Sequence, residues 1–254
     1  MHLSLMTYNI RYGGRGHERQ ILDVIRLAQP DVILLQEVTH SEIIVDFAAA
    51  LDMQLFIAKG NAFSIALISR WPILESFSYR QFPPIRDTVL EVGVEYQEGK
   101  RLYLIGVHPI AFPGTFFEYW RAWELNIALE RATYHREEAC IMAGDFNAIS
   151  PHDRILTDSA PPIMHLLYRL QRRRIYRHAM RRLLAAGLLD CYRHLHPVDD
   201  GFTLPTPTPK VRLDYILAND KLSACLHRCE VITQPEVVHV ASDHYPLLAE
   251  FELE

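Results

Sequence analysis

Six short stretches of this chain carry side chains suited to handling a phosphate ester. In chain order they are "YNIR" with Asn9, "LLQEV" with Glu37, "GVHP" with His108, "GDFNA" with Asp145 and Asn147, "RLDYI" with Asp214, and "ASDHYPL" with Asp243 and His244. A phosphodiester repels nucleophiles with its own negative charge. A catalyst must neutralise that charge, activate water and stabilise the leaving oxygen. Carboxylates and amides can hold a hard cation or a water, and an imidazole oriented by a carboxylate is fixed in one tautomer and favoured in its charged form. Singly, most of these residues have ordinary explanations, such as a turn Asn, a solvated strand-end Glu or a satisfied histidine. Asp214 inside an apolar run is harder to dismiss, because a buried carboxylate without a partner is very costly.

The elements that must position these groups can be read from periodicity. Residues 3–9 alternate loosely and stop at Asn9. "GHERQILDVIRLAQ" places Ile21, Val24, Ile25 and Ala28 at helical spacing, and Pro30 ends it. "DVILLQE" predicts a buried strand ending at Glu37, followed by a helix over 40–51 and strands near 53–58 and 63–70. "RDTVLEVGVEYQEGKRLYLIGVH" predicts a hairpin turning at Gln97–Lys100. A long helix follows at 114–134, then the strand into Asp145. The second half predicts a helical insert at 163–186 and strands near 211–218, 228–234 and 245–252. Asn9, Glu37, His108 and Asp145 thus each close an apolar strand, at the rim where sheets present chemistry. Residues two apart on an extended chain point the same way, so Asp145 and Asn147 are expected to share a face while Phe146 packs inward.

The bulk properties are those of a globular α/β protein. The 254 residues are 49% hydrophobic and 22% charged, enough for a full core. No linker or repeat interrupts them, so 1–254 is read as a single domain. The net charge of −5 argues against a generic polyanion binder, though a local patch can override it. Four scattered cysteines, and an opening "MHLSLMTYNIRYGG" without a basic or long apolar stretch, predict reduced thiols and a cytoplasmic protein. "CLHRC" has no second ligand pair and is a poor zinc site.

Taken together, the six motifs resemble the Mg-dependent endonuclease/exonuclease/phosphatase superfamily, whose members include pancreatic deoxyribonuclease, apurinic endonucleases, sphingomyelinases and inositol polyphosphate phosphatases. The resemblance spans residues 6–251. It implies a four-layer α/β (α+β) sandwich of two facing mixed sheets with helices outside. It places Asp145 and Asn147 in a catalytic pocket, with His244 as the site histidine and Asp214 as its orienting carboxylate. Asp243 resembles a second acid near the metal, and His108 a phosphate-contacting histidine of the deoxyribonuclease-like branch.

Within that frame Glu37 is the best single ligand for Mg²⁺, which prefers oxygen and keeps waters. Mn²⁺ accepts the same set. Asn9 offers an amide to the metal or the phosphate. Either His244 is the general base, or it is a cationic clamp and Asp145 orients or deprotonates the water; the second assignment is preferred. Arg11 stands where some apurinic endonucleases carry an acid, which favours one metal over two. If Tyr96 lies opposite Arg101 in the hairpin, His108 faces Val89 and Asp87 becomes its diagonal neighbour.

Residues 159–189 contain seven arginines and no Lys, Asp or Glu, a local +7 that leaves −12 for the rest of the chain. Arg173 and Arg177 lie in this stretch. As a helical arm after "GDFNAIS" it could grip a phosphate backbone or an anionic membrane surface, or be a solvated helix face. The expected function is a phosphodiesterase, with nucleic acid as the first substrate and a phospholipid or small phosphoester as the alternative. A non-catalytic binding module is disfavoured because no member of the constellation is missing. Oligomeric state is left open.

Overall fold

The computed structural model describes residues 1–80, 88–157 and 175–253, whose strands form two six-stranded sheets. The first sheet has the order β11-β12-β1-β2-β4-β3. Its strands are β1 (His2–Asn9), β2 (Val32–Val38), β3 (Gln54–Ala58), β4 (Ser64–Ser69), β11 (Leu226–Val231) and β12 (Leu247–Glu252). The second has the order β5-β6-β7-β8-β10-β9. It is built from β5 (Ile73–Arg80), β6 (Thr88–Gln97), β7 (Lys100–Val107), β8 (Ala139–Asp145), β9 (Leu189–Asp190) and β10 (Asp214–Ala218).

The two sheets share one plan. Each has a central parallel pair, β1/β2 and β7/β8, flanked by antiparallel strands. Their inner faces meet in a core that includes Leu3, Leu5, Leu34 and Leu67 from one sheet and Leu90, Leu104, Ile141 and Ile216 from the other. The outer faces are covered by helices. On the first sheet, α1 (Glu18–Ala28) and α2 (Ser41–Leu51) bury Ile21, Val24, Ile44 and Phe47 against Met6, Ile33 and Leu35. On the second, α3 (Thr115–Tyr134) and α4 (His178–Ala185) bury Leu125, Ala128, Met180 and Leu183 against Ile105, Met142 and Leu217. Burial on both faces explains why the central strands read as continuous apolar runs rather than alternating ones. It also gives the four layers expected from sequence.

Several boundaries differ from the sequence reading. The edge strand β5 and the two-residue β9 were not predicted. β5 ("ILESFSYR") is half polar, and none of its residues is fully buried, as suits an edge strand. β10 starts at Asp214 rather than 211, so this Asp opens the strand instead of interrupting it. The hairpin register also changes. Gln97 pairs with Lys100 as predicted, but a bulge then sets Glu95, not Tyr96, opposite Arg101, and Leu90 opposite Gly106. A shift of one residue reverses which face each side chain takes; Asp87, and with it the expected Asp87–His108 pair, lies outside the described residues. Of the Arg-rich insert, the described helix is His178–Ala185, and Arg173 and the first part of the predicted helix lie outside the described residues.

Candidate active site

The parallel pairs of both sheets end at one rim, where Asn9, Glu37, His108 and Asp145 meet. The antiparallel strands β10 and β12 enter from that rim, bringing Asp214 and the Asp243–His244 loop. Asp214 is the direct cross-strand partner of Asp145. His244 Nδ1 is 2.8 Å from Asp214 Oδ2, and its Nε2 lies 3.7 Å from Asp145 Oδ2. The imidazole therefore sits between two buried carboxylates. Burial alone would lower its pKa, but the negative charges of Asp214 and Asp145 raise it to about 10. His244 is thus a cation at neutral pH. Burial pushes the Asp145 carboxyl up, with His244 opposing and Asp214 reinforcing the shift.

Asn9 ties the two sheets together. Its Nδ2 donates to Asp145 Oδ2 at 3.0 Å and to Glu37 Oε1 at 3.2 Å, while its Oδ1 accepts from the Arg11 backbone N–H. The amide nitrogen faces the two carboxylates and the amide oxygen faces the Arg11 turn, so in this arrangement Asn9 bridges Glu37 and Asp145. Glu37 Oε2 accepts the Tyr12 N–H at 2.9 Å. His108 Nε2 lies 3.8 Å from Asp145 Oδ2 and 4.0 Å from Glu37 Oε1, so these two acids are described neighbours of the histidine. Its ring is the last of a row with Tyr12 and Phe63, at centroid spacings of 5.9 and 5.7 Å.

The "GDFNA" turn is built differently from the extended chain expected. The strand stops at Asp145. Asn147 has φ +48°, and its N–H donates to Asp145 Oδ1 at 2.9 Å, an Asx turn. Asn147 Nδ2 donates to the Pro109 carbonyl at 3.0 Å, which links the turn to the His108 loop. Phe146 is fully buried as expected, edge-on to Tyr215. Gly144 is required: at φ +151° a Cβ would stand 2.0 Å from the Val107 carbonyl oxygen of the neighbouring strand. Left-handed backbone recurs around the site at Arg11, Tyr12 and Glu37. Such conformations cost on the order of 1–3 kcal/mol each and persist only where the surroundings enforce them.

Sequence reasoning missed the supports beneath the rim. Arg212 is wholly buried and forks onto Asp153 (2.8 and 2.9 Å) and Asp190 (2.8 and 2.5 Å). Tyr215 Oη accepts from the Ser150 N–H and lies within hydrogen-bonding distance of Ala148 O and Asp153 Oδ2. Together they fasten the 148–153 segment, which follows the catalytic turn, to β10. Arg177 donates to the Ser150 carbonyl, so its described contact is with this segment. Asp243 lies at the edge, its Oδ2 3.5 Å from Arg11 Nε and its side chain 35% exposed.

The donor set suits a hard divalent cation: Glu37 and Asp243 offer carboxylate oxygens with no thiol nearby. Glu37, 19% exposed, keeps lone pairs beyond the two bonds described. Asp145, Asp214 and His244 also bring three ligand-type atoms within 4.8 Å of one another. Within that grouping the Nδ1–Asp214 contact is a full hydrogen bond, so Asp214 orients the imidazole.

The chain belongs to the Endonuclease/Exonuclease/phosphatase family, whose pattern matches residues 6–244. Solved structures share its fold at low identity. An AP endonuclease from Archaeoglobus fulgidus superposes with TM-score 0.79 at 17% identity, over 99% of this chain and 100% of that one. A variant of the 3' phosphatase NExo from Neisseria, bound to product DNA hairpin, gives 0.76 at 18%, covering 99% and 100%. TDP2 from D. rerio, complexed with single strand DNA product, gives 0.73 at 19%, covering 99% of each chain. No curated protein matches the sequence. Among the described residues no helix is long and apolar enough to cross a membrane.

Proposed function

We propose that this protein is a metal-dependent phosphodiesterase acting on nucleic acid. The observation that carries the reading is the row Asp214–His244–Asp145, joined through Asn9 to Glu37 at one rim. The DNA-bound relatives named above support nucleic acid as the substrate class. The four free cysteines agree with a reducing cytoplasm as the place of action.

Glu37 would hold Mg²⁺ or Mn²⁺, with Asp243 at the edge. The bound ion would neutralise phosphate charge and make a coordinated water more acidic. The chain's own groups do the rest. His244, cationic and held by Asp214, donates Nε2–H to a non-bridging phosphate oxygen. Asp145, whose proton affinity is raised by burial, accepts a proton from the attacking water. Asn147 is anchored to Pro109 O through one N–H, leaving its second N–H and its carbonyl to orient the water or a phosphate oxygen. His108 contacts the phosphate from the side of β7.

The test is nicking of supercoiled plasmid DNA in Mg²⁺ or Mn²⁺, with Glu37→Ala beside wild type. Nicking by wild type and its loss in Glu37→Ala is the expected result. Folded wild type that cleaves neither DNA nor RNA in either metal refutes the reading, and hydrolysis of phospholipid head groups instead would move the substrate class to lipids.

A further inference from the structure

Beside the rim, between the Ile10–His17 turn and residues 239–243, lies a cavity of about 350 Å³. Its wall includes Arg11, Arg15, His17 and His239 against one acid, Asp243. In a chain of net charge −5, two arginines here stand against one carboxylate. Ser242, whose Oγ donates to the Asn9 carbonyl, also lines it, so cavity and active site share a wall. The Arg11–Asp243 contact is loose, 3.5 Å with side chains 60% and 35% exposed, and such pairs are worth little in water. An arriving anion can therefore take Arg11 at small cost.

The turn that carries these cations is fixed. Arg11 and Tyr12 are held at φ +46° and +48°, the Tyr12 N–H is bound by Glu37, and the Tyr12 carbonyl accepts from Thr39 Oγ1. The Tyr12 ring is 63% exposed and also lines the cavity. Guanidinium forks match phosphate oxygens, and an exposed ring is a stacking platform for a base. The volume is in the range of small-ligand sites.

We infer that this cavity is a subsite for a phosphate-bearing nucleotide next to the scissile bond, with Arg11 and Arg15 on its phosphate and Tyr12 against its base. The inference rests on the phosphodiesterase reading for the word scissile, but the binding it requires does not depend on turnover.

The experiment is calorimetric titration with adenosine 5′-monophosphate and, separately, inorganic phosphate, in EDTA. It compares wild type, the double variant Arg11→Gln/Arg15→Gln and His244→Ala, each checked for folding by circular dichroism. The nucleotide should bind wild type more tightly than phosphate does, and bind the double variant at least about tenfold more weakly, as expected for losing charge-assisted hydrogen bonds. Equal binding to wild type and the double variant, or no binding to wild type, overturns the subsite. Loss in His244→Ala as large as in the double variant would place the nucleotide in the hydrolytic site and also overturns it. A protein that binds the nucleotide as described but cleaves no diester would sink the proposed function and leave the cavity assignment standing; cleavage without nucleotide binding would do the reverse.

Discussion

Asp214→Asn removes one charge and almost no volume, so it isolates what holds the proton on His244. The wild-type carboxylate is fully buried, 2.8 Å from Nδ1. Against the opposing effect of burial, Asp214 and then Asp145 lift the imidazole from 6.5 to about 10. That rise corresponds to on the order of 5 kcal/mol favouring the cation. Without the Asp214 charge, the larger of the two attractions is gone and His244 should titrate back toward the ordinary imidazole range. The sign for stability follows from linkage. A raised native pKa gives stabilisation that is complete below the unfolded value of about 6.5 and lost as pH rises through about 10. Between those limits His244 alone should steepen the fall of unfolding free energy by up to about 1.4 kcal/mol per pH unit. Urea denaturation in EDTA across that window should show the slope in wild type and a flatter one in Asp214→Asn. An NMR titration of the His244 ring protons gives the pKa directly. An unchanged slope together with an unchanged alkaline titration would refute the reasoning.

Further outcomes follow from the packing around the site. Arg212→Ala leaves Asp153 and Asp190 buried without their shared cation and should cost about 3–5 kcal/mol in urea denaturation. Gly144→Ala drives a methyl into the Val107 carbonyl and should abolish activity or soluble expression, whereas Gly16→Ala, with open space around it, should cost only about 1 kcal/mol for its left-handed backbone. A gap between the two variants of less than about 1 kcal/mol would contradict the strand geometry. Burial pushes the Glu91 carboxyl up, but Arg131 and His135 bond it strongly enough to hold it below its usual range. The stability it gives is present at neutral pH and lost as pH falls through that lowered value. Glu91→Gln should therefore be less stable than wild type at pH 7, with the difference closing in acid, as read by chemical denaturation.

The chemistry-bearing residues were legible because each stands at or beside the end or start of an apolar strand, and a polar side chain has little reason to stand there unless the rim uses it. Asn9, Glu37, His108, Asp145, Asp214 and His244 converge as the motifs suggested. Other features left no local trace. The bulge beside Tyr96 changes the hairpin register but is not required by any residue in "VEYQEGKR". The orientation of the Asn9 amide depends on a backbone N–H two residues later, brought round by a left-handed turn at two non-glycine positions. The Arg212 network joins residues 153, 190 and 212, which only the fold brings together; the one clue was that buried aspartates need partners. β5 was missed because an edge strand with no fully buried residue lacks the apolar run that marked its neighbours.

The shared plan of the two sheets has a consequence for how activity is lost. Glu37 and Asn9 belong to one sheet and Asp145 and Asp214 to the other. The Asn9–Asp145 and His244–Asp214 bonds span the seam between them, working as a pair of latches. A species that keeps both sheets but lets them slide would keep its secondary structure and lose both latches at once. Phosphoesterase activity would then report closure of the sandwich itself, and on heating it should disappear with the near-ultraviolet signal of packed aromatics rather than with the far-ultraviolet signal of the strands.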